Sequence, residues 1–289
     1  MESISHVTIP LTSKWKLPRY ALVGMAIILV SELLLYLDVT IVGLYFTPLV
    51  WTGYILFIDG VNLRLHGQSL IVSRRREFIA MLLWSILCWL IFEAYNLYLQ
   101  NWEYIGLPEN DIFRFIGYGW SFATIFPAVL ETAEFLHGLI GKEQHTSWGV
   151  TNRLIVTWVI LGVLCLTVPL IIDRSIASKL FALVWLGFFF ILDPYNYKHR
   201  GQSVLGNLKR GNPSIVLALV LSGLICGLLW EFWNYWAIAK WVYLIPISFV
   251  GPKLFEMPLL GYLGFIPFAF ECYAMQEFLV TRIPSLRQP

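Results

Sequence analysis

Glu231 is the residue in this chain best placed to do chemistry. It lies in the stretch 229–243, Leu-Trp-Glu-Phe-Trp-Asn-Tyr-Trp-Ala-Ile-Ala-Lys-Trp-Val-Tyr, which surrounds one carboxylate with four tryptophans. Asn234 follows three residues later, so on a helix the two share a face. A carboxylate at membrane depth costs roughly 2.5–3.5 kcal/mol on insertion scales, and it turns toward protein or a wet cavity. A wall of indoles favours the neutral carboxyl, the form that acts as a general acid. The same indole faces can stabilise a carbocation. Residues 89–104, Trp-Leu-Ile-Phe-Glu-Ala-Tyr-Asn-Leu-Tyr-Leu-Gln-Asn-Trp-Glu-Tyr, repeat the pattern: Glu93 stands for Glu231, Asn96 for Asn234, Trp102 for Trp241 and Tyr104 for Tyr243. Glu93 and Glu231 are therefore candidate catalytic acids. Asn96, Asn234, Trp102, Trp230, Trp233, Trp241, Tyr104 and Tyr243 are candidate substrate-binding residues. The structural alternative is a polar clamp holding two repeats together.

Glu131 and Glu271 form a second pair of candidate acids. Each follows a proline by four residues, in Pro-Ala-Val-Leu-Glu (127–131) and Pro-Phe-Ala-Phe-Glu (267–271). A proline inside a helix frees a carbonyl and kinks it, so kink and acid together predict a polar notch. Asp59-Gly60 and Asp193-Pro194 read as stop signals, with the aspartates capping or pairing with nearby Arg and Lys. The five histidines, His6, His66, His137, His145 and His199, are scattered and form no metal box. No Walker loop, dinucleotide fingerprint or nucleophile elbow occurs. The pattern predicts chemistry without metal or cofactor, and no nucleic-acid partner.

The elements that must position these residues are membrane helices. The 289 residues are 58% hydrophobic and 13% charged, with mean hydropathy +0.70, against about 25% charged in a soluble domain. The fold class predicted is all-α and polytopic, with spans at 20–37, 41–58, 78–98, 112–136, 154–172, 177–192, 214–239 and 257–280. Each is near the ~20 residues that cross the hydrocarbon layer. Fifteen of the 20 Lys and Arg fall on one side of that topology, which predicts both termini cytoplasmic. No small-x-small cleavage site follows the first run, so a cleaved signal peptide is not expected. The prokaryotic plasma (inner) membrane is the expected location. The basic loops Arg64–Arg76 and Lys198–Arg210 could attract anionic lipid headgroups, although topology alone explains them. The four cysteines all lie in apolar runs and read as small packing residues.

Residues 51–69 (WTGYILFIDGVNLRLHGQS) and 185–203 (WLGFFFILDPYNYKHRGQS) align without a gap, matching Trp51/Trp185, Gly53/Gly187, Asp59/Asp193, Asn62/Asn196 and both Gly-Gln-Ser triplets. Two copies of four spans run with the same topology, about an axis along the membrane normal. The division expected is a cytoplasmic segment 1–19, a first repeat 20–137, a linker 138–153, a second repeat 154–280 and a tail 281–289. The segments 99–111 and 240–256, rich in Trp, Tyr and Pro, are expected to be interfacial belts or short re-entrant pieces.

At Trp241-Val-Tyr243 followed by Pro267-Phe-Ala-Phe-Glu271, and at Trp102-Glu-Tyr104 followed by Pro127-Ala-Val-Leu-Glu131, the chain resembles the tandem-repeat lycopene cyclase domain proteins over the second half of each repeat. That family places two adjacent acids just after the proline; here one acid stands three residues further on. The resemblance implies acid-initiated cyclisation or isomerisation of an apolar isoprenoid, with Glu131 and Glu271 as the acids. The reading is therefore an intramembrane, cofactor-free acid/base enzyme for an isoprenoid or polyene substrate. Its partners would be membrane lipid and an apolar small molecule. The alternatives are a proton- or cation-coupled transporter or lipid-binding protein with its site at the repeat interface, and a structural subunit of a membrane complex.

Overall fold

The computed structural model describes residues 16–141, 146–244 and 252–287. Lys14, Lys142, His6, His145, most of the amino-terminal segment, residues 245–251 of the second belt and the last two residues of the tail lie outside the described residues. Among the described residues are eight helices of at least 18 residues: α1 Arg19–Tyr36, α2 Phe46–His66, α3 Arg75–Leu99, α4 Asp111–Ile140, α5 Asn152–Ile171, α6 Phe181–Lys198, α7 Ser214–Trp236 and α8 Phe265–Arg282. Seven of these, all but α2, are long and apolar enough to cross a membrane, α6 and α8 together with the short turns that precede them. The protein is an integral, multi-pass membrane protein. Helix α2 carries Asp59, Asn62, Arg64 and His66 and buries eleven of its residues, so it is a more polar, interior element.

Helices α3, α4, α7 and α8 make the centre. Helix α2 packs on α4 with α1 outside it, and α6 packs on α8 with α5 outside it. The outer pairs meet at glycines. A Cβ on Gly24 would lie 2.5 Å from the Gly53 carbonyl oxygen, and one on Gly162 would lie 2.7 Å from that of Gly187. With no hydrophobic drive between helices in lipid, such close backbone approach supplies the packing.

Three expectations need correction. First, Asp59 and Asp193 do not end their helices, which run on to His66 and Lys198. Their carboxylates do cap, as one of the two expected roles, by accepting from the free amides that open the next short helix; they do not pair with Arg or Lys among the described residues. Asp59 accepts from Ile71 N (2.9 Å), and Asp193 from Val204 N (2.6 Å) and Leu205 N (3.0 Å). Ser69 and Ser203 cap the same two turns. Orphan N–H groups at a helix start draw a carboxylate more strongly than a distant Arg or Lys does. Second, only one of the two prolines interrupts a helix. Pro127 lies in the middle of α4, and Ser85 breaks the same turn by donating to Phe122 O (2.5 Å) while accepting from Phe126 N (3.1 Å). Pro267 lies in the first turn of α8, directly after the 3-10 turns Leu259–Gly264, where the α-helical hydrogen-bond ladder is only beginning.

Third, the aromatic belts contain paired strands. Trp102–Ile105 (β1) and Lys240–Tyr243 (β2) form an antiparallel ribbon, with Trp102 opposite Tyr243 and Tyr104 opposite Trp241. Alternate aromatic and β-branched residues suit a strand, and pairing satisfies backbone groups that a belt would leave to water.

Candidate functional site

The two asparagines fasten the ribbon to the helices. Asn96 donates to Trp102 O (2.9 Å) and accepts from Asn101 N (2.8 Å) and Trp102 N (3.3 Å). Asn234 donates to Trp241 O (2.9 Å) and accepts from Trp241 N (3.0 Å). Their amides hold strand backbone, not the neighbouring carboxylates. By fixing β1 and β2, they aim Tyr104 and Tyr243 back at Glu93 and Glu231.

The Glu93 Oε1 accepts from Tyr104 (2.6 Å), Trp89 (2.8 Å) and Trp102 (3.2 Å). The Glu231 Oε1 accepts from the Tyr243 hydroxyl (2.7 Å), which itself accepts from Trp241 Nε1 (3.0 Å). Glu231 is fully buried, and its Oε2 has no partner among the described residues. Burial, then the adjacent carboxylate, pushes both the Tyr104 and Tyr243 phenols well above their usual range. Both tyrosines stay protonated and donate.

Under the ribbon lies a cavity of about 130 Å³ walled by Trp89, Trp102, Tyr104, Phe122, Trp185, Trp230, Trp241, Tyr243 and Phe268, with Arg114 and Lys240 among the lining residues. It lies between the two halves of the chain. Thr47 Oγ1 and Trp185 Nε1 line it and have no partner among the described residues. Glu93 and Glu231 stand one hydrogen bond behind the wall, so the tyrosines are what a bound molecule would touch. Lys240 is held by Glu256 (2.8 Å) and Arg114 by the Pro108 carbonyl (3.1 Å). Such fixed cations can orient a polar end, while the aromatic wall suits an apolar body.

The remaining candidates are elsewhere. Trp233 packs on Trp51, 5.0 Å between ring centroids, and donates to Glu32 (3.2 Å), away from the cavity wall. Glu131 is fully buried and accepts from Asn62 at Oε2 (2.6 Å) and at its backbone carbonyl (3.0 Å). Glu271 is fully buried and accepts from Phe188 N (3.0 Å). The match between them is one turn out of register: Asn62 reaches the Glu131 carbonyl, whereas Asn196 reaches that of Ala274 (2.9 Å). Neither Glu131 nor Glu271 lines the aromatic cavity. Trp89, Trp185 and Phe268 complete the wall; in the sequence Trp89 stands one helical turn before Glu93 and Trp185 opens the gapless match, and neither place announces a site. No cluster of three or more potential metal ligands occurs among the described residues.

Comparison with protein-family models, curated proteins and solved structures finds no match.

Proposed function

We propose that the aromatic cavity takes up an apolar, lipid-soluble molecule of isoprenoid or polyene type, and that the Tyr243–Glu231 pair performs acid/base chemistry on it, a cyclisation or isomerisation, while Glu93 holds Tyr104 and Trp102 in the cavity wall. The observation that carries this reading is the chain Trp241→Tyr243→Glu231, which ends in the cavity wall at one side and at an open carboxyl oxygen at the other. Neutral Glu231 gives its proton to Tyr243 across the Oε1 contact as Tyr243 delivers its hydroxyl proton to a substrate double bond. The cation that forms is stabilised by the π faces of Trp230, Trp241 and Phe268. Loss of a proton from the neighbouring carbon back to Tyr243, which returns one to Glu231, restores neutrality and the acid. The substrate gains and loses one proton, so no oxidant or cofactor is required.

The same reading takes the chain as two parallel four-helix repeats with eight spans, α2 included, and both termini cytoplasmic. Its support is the recurrence of the Asp–amide caps, the glycine contacts and the asparagine clamps. The ribbon register, with each Trp opposite the other strand's Tyr, is what a two-fold axis would produce. A carrier is the second reading, favoured by a charged cavity at the other end of the same central helices.

Lipids and pigments extracted from purified protein and identified by mass spectrometry test the proposal. The expected result is a pair of apolar isomers of equal mass, reduced in Trp230→Ala and Phe268→Ala. Recovery of bulk phospholipid alone from all three proteins would overturn it.

A further inference from the structure

A second cavity, of about 780 Å³, lies at the opposite end of the central helices, among the first turns of α3 and α7 and the last turns of α4 and α8. Much of its charge is already matched. Arg287 bridges Glu77 (3.0 Å) and Glu277 (2.6 Å), and Arg74 pairs with Glu134 and lies 3.8 Å from Glu77.

Two lining groups stay open. Arg210 donates to Asn207 Oδ1 (3.1 Å) and makes no ion pair among the described residues. Gln276 is 1% exposed, and neither its Nε2 nor its Oε1 has a partner among the described residues. A buried amide with donor and acceptor both unmet marks a missing group. Its complement is a hydroxyl, which accepts from the N–H and donates to the carbonyl. The complement of an open guanidinium is a phosphoryl or carboxyl oxygen pair. Gln202 and Asn212 add further carboxamides to the wall. A single open cation fits a single negative charge, because a dianion would stand beside Glu77, Glu134 and Glu277 with no second unpaired guanidinium among the described lining residues. The cavity sits at the ends of apolar spans, at headgroup level.

We propose that this cavity binds a monoanionic phosphodiester bearing free hydroxyls, with Arg210 on the phosphoryl oxygens and Gln276 on a hydroxyl. A glycerol-type phospholipid headgroup and a soluble glycerophosphodiester share that chemistry.

The test uses the full chain in phosphatidylcholine nanodiscs. Phosphatidylglycerol is titrated into the bilayer in one arm and glycerophosphoglycerol into the buffer in the other. Binding is read by native mass spectrometry and by the unfolding temperature. Arg210→Met should weaken binding about tenfold or more, the scale of one charge-assisted hydrogen bond, and Arg210→Lys should retain part of it. Gln276→Leu should weaken phosphatidylglycerol but leave phosphatidylethanol, which lacks the hydroxyls, unchanged. Binding of phosphatidylglycerol alone identifies a lipid, and competition by the soluble ester identifies a free metabolite. Absence of binding in both arms overturns the proposal, as does wild-type affinity in both Arg210→Met and Gln276→Leu. Should Arg210→Met fail to fold, the loss of discrimination between the two lipids in Gln276→Leu decides the matter.

Discussion

Glu93 and Glu231 have the same neighbours by type, a tyrosine and a tryptophan from a strand, and use them differently. At Glu93 three donors converge on one oxygen in parallel. At Glu231 the donors are in series, Trp241 to Tyr243 to carboxylate, and the second oxygen is bare. Parallel donors fix a charge in place. A series of hydrogen bonds that ends at an open oxygen is a route for a proton. On the proposed function, one element of local architecture therefore serves as a clamp in the first half of the chain and as a proton path in the second.

The comparison breaks most visibly in stability. Glu93→Leu strands three donors at roughly 1 kcal/mol or more each, a loss of about 3 kcal/mol. Glu231→Leu strands one, a loss of about 1–3 kcal/mol. Unfolding midpoints in detergent should rank them in that order, and the reverse order would remove the distinction between clamp and path. Smaller effects should separate the tyrosines. Tyr243→Phe leaves Trp241 Nε1 without its acceptor as well as Glu231 without its donor. Tyr104→Phe leaves Trp89 and Trp102 on Glu93. Tyr243→Phe should therefore be the less stable by about 1 kcal/mol; equal midpoints would show that the series arrangement carries no energy.

Much of this was readable from residue types, and the misses share one cause. Apolar runs and the spacing of Glu93/Asn96 and Glu231/Asn234 located the helices and the faces that matter, because helical neighbours are close in sequence. The β1–β2 ribbon joins residues well over one hundred positions apart, and nothing local announces a partner. The Pro-Ala-Val-Leu-Glu and Pro-Phe-Ala-Phe-Glu match slipped by one turn because a three-residue shift keeps an apolar helix on nearly the same face. Only the backbone partners of Asn62 and Asn196 reveal the slip. The charged cavity draws Arg74, Glu134, Arg210, Gln276 and Arg287 from five separate segments, a set with no motif to find.

The smallest expected effect lies in pH. Tyr104 and Tyr243 have folded-state pKa values raised above the ordinary value near 10. Below about pH 10 both folded and unfolded chains keep these protons, and the stability they contribute is fully present. Above it the unfolded chain releases them while the folded chain does not, so stability falls as pH rises toward the folded-state values. Unfolding temperature measured with the phenolate ultraviolet band should show the loss beginning near pH 10, with phenolate from these two residues appearing only on unfolding. The Tyr104→Phe/Tyr243→Phe double variant should flatten the fall, and an unchanged slope would remove the two phenols from the account.

The central claim is that Glu231 holds the working proton and Glu93 does not initiate the chemistry. Comparing the apolar molecules carried by purified Glu231→Gln and Glu93→Gln tests it most directly, because each amide keeps an acceptor oxygen for its tyrosine. Glu231→Gln should carry only the unprocessed isomer, with turnover reduced about 100-fold or more, while Glu93→Gln carries both isomers as the unmodified protein does. The same isomer mixture in both variants would contradict it.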